Sequence, residues 1–215
     1  MLNKVIKQQL ELLLQSGIKE VYPPVCQKGQ HLDELAARYR NCQKCELAKG
    51  RTKLVYGEGN PDAFIMIIGE GPGASEDLSG RPFVGKAGEL LTKMLAAIHL
   101  SREEVYIGNI VKCRPPSNRN PLPEERLACL PYLLEQISII QPKLLLFMGL
   151  VAAQTLLQTS ESMGELRKRE HLFQNIPAFV TYHPAALLRN PNWKHGAWAD
   201  LQKFEQRYYQ LRDGS

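Results

Sequence analysis

Four cysteines stand where metal ligands are expected. Cys42 and Cys45 form a C-x-x-C pair in "NCQKC", Cys113 lies in "VKCRPP" and Cys129 in "RLACLP". A C-x-x-C pair puts two thiolates on one tight turn, and two remote thiolates complete a four-sulfur site. Zinc and a [4Fe–4S] cluster both accept such a set, and spacing alone does not separate them. A redox-active pair of the thioredoxin type would follow a strand of a βαβ unit, whereas this pair precedes the first apolar run. Cys26 has no partner in this scheme and reads as an incidental thiol.

A second chemical signal is "IIGEGPGASEDLSGRPFVGKAGELL", residues 67–91, where an apolar run ends in glycines. Gly69, Gly71 and Ala74 match the dinucleotide fingerprint G-x-G-x-x-G/A. Glu70, however, sets a negative charge where a pyrophosphate would sit, and Pro72 removes a donor N–H. Gly80, Gly85 and Lys86 have Walker A spacing, but Ala87 has no hydroxyl for magnesium and no strand directly precedes the loop. No nucleotide cofactor is therefore expected. The bland alternative is a tight turn without a ligand.

The positioning elements follow from the apolar pattern. The chain has 215 residues, enough for a real core, with the composition of a soluble globular protein and a formal charge of +5. That charge permits a polyanionic partner without requiring one. The N-terminal segment carries helical spacing over residues 1 to about 19 and lacks the unbroken apolar stretch of a signal peptide. No run is long enough to span a bilayer, so a cytoplasmic protein with no membrane partner is expected. In that compartment clustered cysteines more often hold metal than form disulfides. Two prolines in "VYPPVC" interrupt the pattern, and a second helical stretch covers Leu32 to Tyr39. The chain thus divides into a helical extension, 1–40, and a main domain, 41–215.

Within the main domain, "FIMII" (64–68), "VYIGNI" (105–110), "LLLFMG" (144–149) and "AFVTY" (178–182) alternate with helical patterns. Buried strands alternating with helices predict an α/β fold, a parallel four-stranded sheet covered on both faces. The carboxyl ends of such strands share one edge, where ligands bind. Glu70, Asn109 and His183 each follow or end a strand and can therefore converge there, although a lone histidine is as often structural as functional. Asn109 offers a donor and an acceptor side by side, as a planar heterocycle requires, although an asparagine at a strand end can simply turn the chain. Phe83 is either core or a platform for a flat ring. "KCRPPSNRNPLPEE" is either a solvated loop or a source of phosphate contacts.

Taken together, "GEGPG", "GRPFVGKAG", "NIVKCRPP", "HPAALLRNP" and the four cysteines in order resemble family 4 of the uracil-DNA glycosylases, the iron–sulfur class. The resemblance runs from about Cys42 through Pro191. It implies an α/β/α sandwich with a mainly parallel four-stranded sheet and a monomer acting in base excision repair on uracil-containing DNA. The base would be flipped from the stack and its N-glycosidic bond hydrolysed. By motif, Gly69 and Gly71 would approach the base closely, Phe83 would stack on it and Asn109 would read its polar edge. His183 would donate to the oxyanion of the departing uracil. The better-known glycosylase family positions water with an aspartate in its first motif. Gly71 occupies that place here, leaving Glu70 as the first candidate, ahead of Glu76 and Asp77. The resemblance also favours a structural [4Fe–4S] cluster on Cys42, Cys45, Cys113 and Cys129. Lys112, Arg114, Arg119 and Arg189 are expected phosphate contacts, and Leu187 or Leu188 the wedge that replaces the flipped base. "SNRNPLP" lacks the histidine associated with the covalently reacting branch.

Overall fold

The computed structural model describes residues 27–214. The helix expected over residues 1 to about 19, and Cys26, lie outside the described residues. Three strands are buried along their whole length: β2 (Ile65–Gly69), β3 (Val105–Asn109) and β4 (Leu144–Met148). β6 (Ile176–Thr181) is buried over its last four residues. These four pair in parallel in the order β3-β2-β4-β6, the predicted central sheet.

The sheet has six strands rather than four. β1 (Glu58–Gly59) and β5 (His171–Phe173) add antiparallel edges next to β3 and β6. Two or three partly exposed residues make no apolar run, so composition gave no sign of them.

Period-two alternation splits the strand side chains between two cores. Met66, Ile68, Tyr106, Leu145 and Phe147 face one side with Leu133 and Ile137 of α5 (Pro123–Ile140). Ala152 and Leu156 of α6 (Leu150–Leu157) and Leu166 of α7 (Met163–Leu166) complete that layer. Ile65, Ile67, Val105, Leu144 and Leu146 face the other side. There they meet Leu91 and Leu95 of α4 (Lys86–Ala96) and Leu201 and Phe204 of α9 (Lys194–Asp213). The result is a three-layer sandwich.

The described part of the N-terminal segment packs on this body. Leu32 of α1 (Gln27–Tyr39) joins the first core, Lys28 Nζ donates to the Ile140 carbonyl, and Tyr39 and Arg38 both donate to Glu135. α2 (Leu47–Gly50) follows the cysteine pair, and α3 (Ala74–Ser79) and α8 (Pro184–Arg189) follow β2 and β6.

Phe147 is fully buried at the centre of the sheet, where little can collapse into the space it leaves. Phe147→Ala is expected to cost about 3–5 kcal/mol, read as a lower urea midpoint with an unchanged slope.

Candidate active site

The carboxyl ends of β2 and β3 meet at one register pair, Gly69 opposite Asn109. A Cβ on residue 69 would lie 2.5 Å from Asn109 Oδ1 and 2.7 Å from Phe83 Cζ. Glycine there is what lets the amide and the aromatic ring share one corner. Asn109 is 2% exposed, and its Oδ1 is buried with no hydrogen-bond partner among the described residues. An orphaned buried acceptor is costly unless something else satisfies it. Phe83 sits in the loop between α3 and α4, buried, with φ of +52°.

His183 ends the segment after β6 and caps α8. Its Nδ1 accepts from the Ala185 N–H at 3.2 Å, which leaves the proton of the neutral ring on Nε2. Burial, reinforced by the nearby Arg189 charge, lowers its pKa to about 4, so the ring is a neutral donor at physiological pH. The imidazole lies 5.4 Å from the Phe83 ring, centroid to centroid, at 30°.

These side chains line a cleft of about 280 Å³ together with Glu70, Gly71, Glu76, Arg119 and Arg189. The volume is at the small end for ligand pockets and suits a single base better than a whole nucleotide. Three carboxylates lie nearby, with different commitments. Asp77 accepts from the Thr52 N–H at 2.9 Å, and Glu76 accepts from the N–H groups of Val84 and Gly85, each at 2.9 Å. Glu70 accepts no hydrogen bond with its side chain among the described residues. Burial raises its pKa, with Arg126 and Arg189 pulling it back.

Of the expected phosphate contacts, Arg189 is exposed at the cleft, and Arg119 lines it while forking onto Glu125 at 2.6 and 2.8 Å. Arg114 Nε donates to Asn118 Oδ1 at 2.8 Å. Lys112 does not fit that role. It is fully buried, with Nζ donating to the Asn109 carbonyl at 3.0 Å and to Gln136 Oε1 at 2.6 Å, so no phosphate can reach it. Its neighbours Cys113 and Val111 turn inward too, which the polar composition of the loop concealed. Leu187 is core and Leu188 is exposed, leaving only the latter available as a wedge. Asn118 and Asn120 also line the cleft and were missed. The turn-forming "SNRNP" could have pointed to them, as residues 117 and 118 adopt positive φ.

The four cysteines gather beside the first core, away from the cleft, and none is in a disulfide. Cys113 lies within electrostatic range of Cys45 and Cys42, and Cys129 within that of Cys113 and Cys45. Among the described residues, no three such side chains are close enough to hold a single ion. Burial pushes both the Cys113 and the Cys129 thiol up, Cys129 to about 11, and nearby donors pull the other way. The Lys112 N–H donates to Cys129 Sγ at 3.2 Å and Arg51 Nη1 to Cys113 Sγ at 3.4 Å. Burial lowers the Lys112 ammonium to about 8. Four free thiols with these N–H donors beside two of them are the kind of set that a thiolate-bound metal group takes.

The sequence profile of the Uracil DNA glycosylase superfamily matches residues 56–202. A protein named type-4 uracil-DNA glycosylase from Saccharolobus solfataricus is 45% identical over 185 residues, 82% of this chain and 86% of its own. Its counterpart from Pyrobaculum aerophilum is 43% identical over 181 residues, covering 80% and 92%. That from Archaeoglobus fulgidus is 41% identical over 182, covering 81% and 92%. With the fold, the cleft at the strand ends and these relatives agreeing, the chain belongs to the uracil-DNA glycosylase superfamily.

Proposed function

We propose that the protein excises uracil from DNA by hydrolysing its N-glycosidic bond, leaving an abasic site for base excision repair. The observation that carries this reading is the orphaned amide oxygen of Asn109 at the floor of a base-sized cleft, beside Phe83 and His183. Uracil satisfies it. Its N3–H donates to Oδ1 while its O4 accepts from the Asn109 amide, with Phe83 stacked on the ring. Cytosine reverses both groups, and each buried mismatch costs about 1–3 kcal/mol.

Bond cleavage takes the electron pair of the C1′–N1 bond onto uracil and leaves positive charge on the sugar. The neutral His183 donates through Nε2–H to the uracil oxygen as negative charge develops there, without needing to be protonated itself. Water then adds to C1′, and the proton it sheds neutralises the uracil anion. Glu70 is the carboxylate we assign to orienting that water and stabilising the cationic sugar, since Glu76 and Asp77 are bound to main-chain N–H groups.

Arg114, Arg119 and Arg189 would hold phosphates, and Leu188 would fill the gap left by the flipped base. Cys42, Cys45, Cys113 and Cys129 would hold a [4Fe–4S] cluster. Its part is structural, tying the segments before β1 and after β3 to α5, and hydrolysis needs no electron transfer.

Incubating the protein with end-labelled DNA carrying one uracil, followed by alkali, is expected to nick only at uracil, with thymine and cytosine controls intact. In the same assay Asn109→Asp is expected to weaken discrimination against cytosine. Tight binding without nicking would instead mark a recognition protein. The wild-type rate is expected to fall in acid as Glu70 takes a proton at its raised pKa, before His183 titrates near 4. Glu70→Gln should be slower and lack that acid limb, and an unchanged limb would assign the titration elsewhere. Cys113→Ser is expected to lose the visible iron–sulfur absorbance and lower the melting temperature; full absorbance with unchanged stability would refute the ligand set.

A further inference from the structure

Phe83 holds a left-handed backbone, φ +52°, that a bulky residue keeps only when its surroundings impose it. The loop is gripped on both sides of this residue. After it, Glu76 Oε1 takes the N–H groups of Val84 and Gly85. On the carbonyl side, Arg102 Nη1 donates to the Phe83 carbonyl and Nη2 to the Pro82 carbonyl, both at 3.0 Å. Behind the same peptide stands α4, so close that a Cβ on Gly88 would lie 1.8 Å from the Phe83 oxygen. Arg102 is itself held, because Nη2 also meets Glu58 Oε1 at 3.0 Å. Arg81 Nε takes the other Glu58 oxygen at 2.7 Å.

Arg102 lies outside the cleft lining and is mostly buried, with 18% of its side chain exposed. Its guanidinium spans two successive carbonyls and a carboxylate, a planar fork that a lysine cannot reproduce. Because the two carbonyls flank the Phe83 Cα, their placement sets the tilt of the ring on which the base would lie.

We propose that Arg102, anchored by Glu58 on the edge strand β1, is a positioning residue for uracil excision. It fixes the Pro82 and Phe83 carbonyls and thereby the angle at which Phe83 meets the flipped base. The inference rests on Phe83 being the stacking platform. It predicts that Arg102 matters only through that ring.

A double-mutant cycle separates this role from general support of the fold. Single-turnover uracil release would be measured for wild type, Arg102→Gln, Arg102→Lys, Phe83→Leu and the Arg102→Gln/Phe83→Leu and Arg102→Lys/Phe83→Leu double variants. Thermal melts and DNA affinities would be recorded for each. Both Arg102 variants are expected to slow release about 10-fold with DNA affinity kept, since small misplacements near the reacting centre are costly. On the Phe83→Leu background the same changes should alter the rate by less than about 2-fold. An equal loss on both backgrounds, or wild-type rates in the single variants, would overturn the proposal. If Arg102→Gln melts early, Arg102→Lys carries the cycle, because it keeps a cation for Glu58. Inactive wild-type protein would remove the glycosylase reading. A wild-type rate in Phe83→Leu would remove the stacking role and this inference, leaving the glycosylase reading intact.

Discussion

The cleft depends on one register pair. Where Gly69 lies against Asn109 in the parallel ladder, two strands end without a side chain between the amide and the Phe83 ring. Every other feature of the site is arranged around that gap. The Glu70 side chain starts one residue beyond it, and His183 approaches from two strands away. A one-residue slip of β2 on β3 would reverse which face each side chain occupies and fill the gap with a β-branched side chain. The fully buried, interdigitated sheet makes such a slip costly, so packing far from the cleft underwrites the geometry of recognition.

The two faces of the sheet divide the labour. One carries α4, α8 and α9, which support Phe83 and the segment after His183. The other carries α1, α5, α6 and α7, with the four thiols at its margin. Lys112 is where the two meet. Its main chain donates to Cys129 and its side chain to the carbonyl of Asn109, so one buried residue spans the distance from sulfur to the asparagine that lines the cleft. An unpaired ammonium at such depth is expensive, and the Asn109 carbonyl and Gln136 Oε1 offset that cost.

Much of this was legible from residues alone. Unbroken apolar runs such as "LLLFM" announce strands buried on both faces, and chain order then puts Glu70, Asn109 and His183 on one edge. The short edge strands were not legible, because residues 58–59 and 171–173 pair without needing a hydrophobic pattern. Lys112 misled, since a lysine beside arginine and proline reads as solvated, and only the fold reveals two buried acceptors waiting for it. Arg102 carries no signal at all. Its meaning comes from the shape of a loop 20 residues upstream, which no local pattern encodes.

The imidazole of His183 serves as the first cap of α8, and that dual use has a mechanical result. A free neutral histidine must choose between two tautomers, and the other choice would turn a lone pair rather than a proton toward the cleft. Here the start of a helix makes the choice during folding, so the donor is set before any substrate arrives. The same short helix carries Leu188 and Arg189 on its exposed side. The tautomer of the ring and these outward-facing residues are therefore tied to one helix, so any displacement of that helix would carry both.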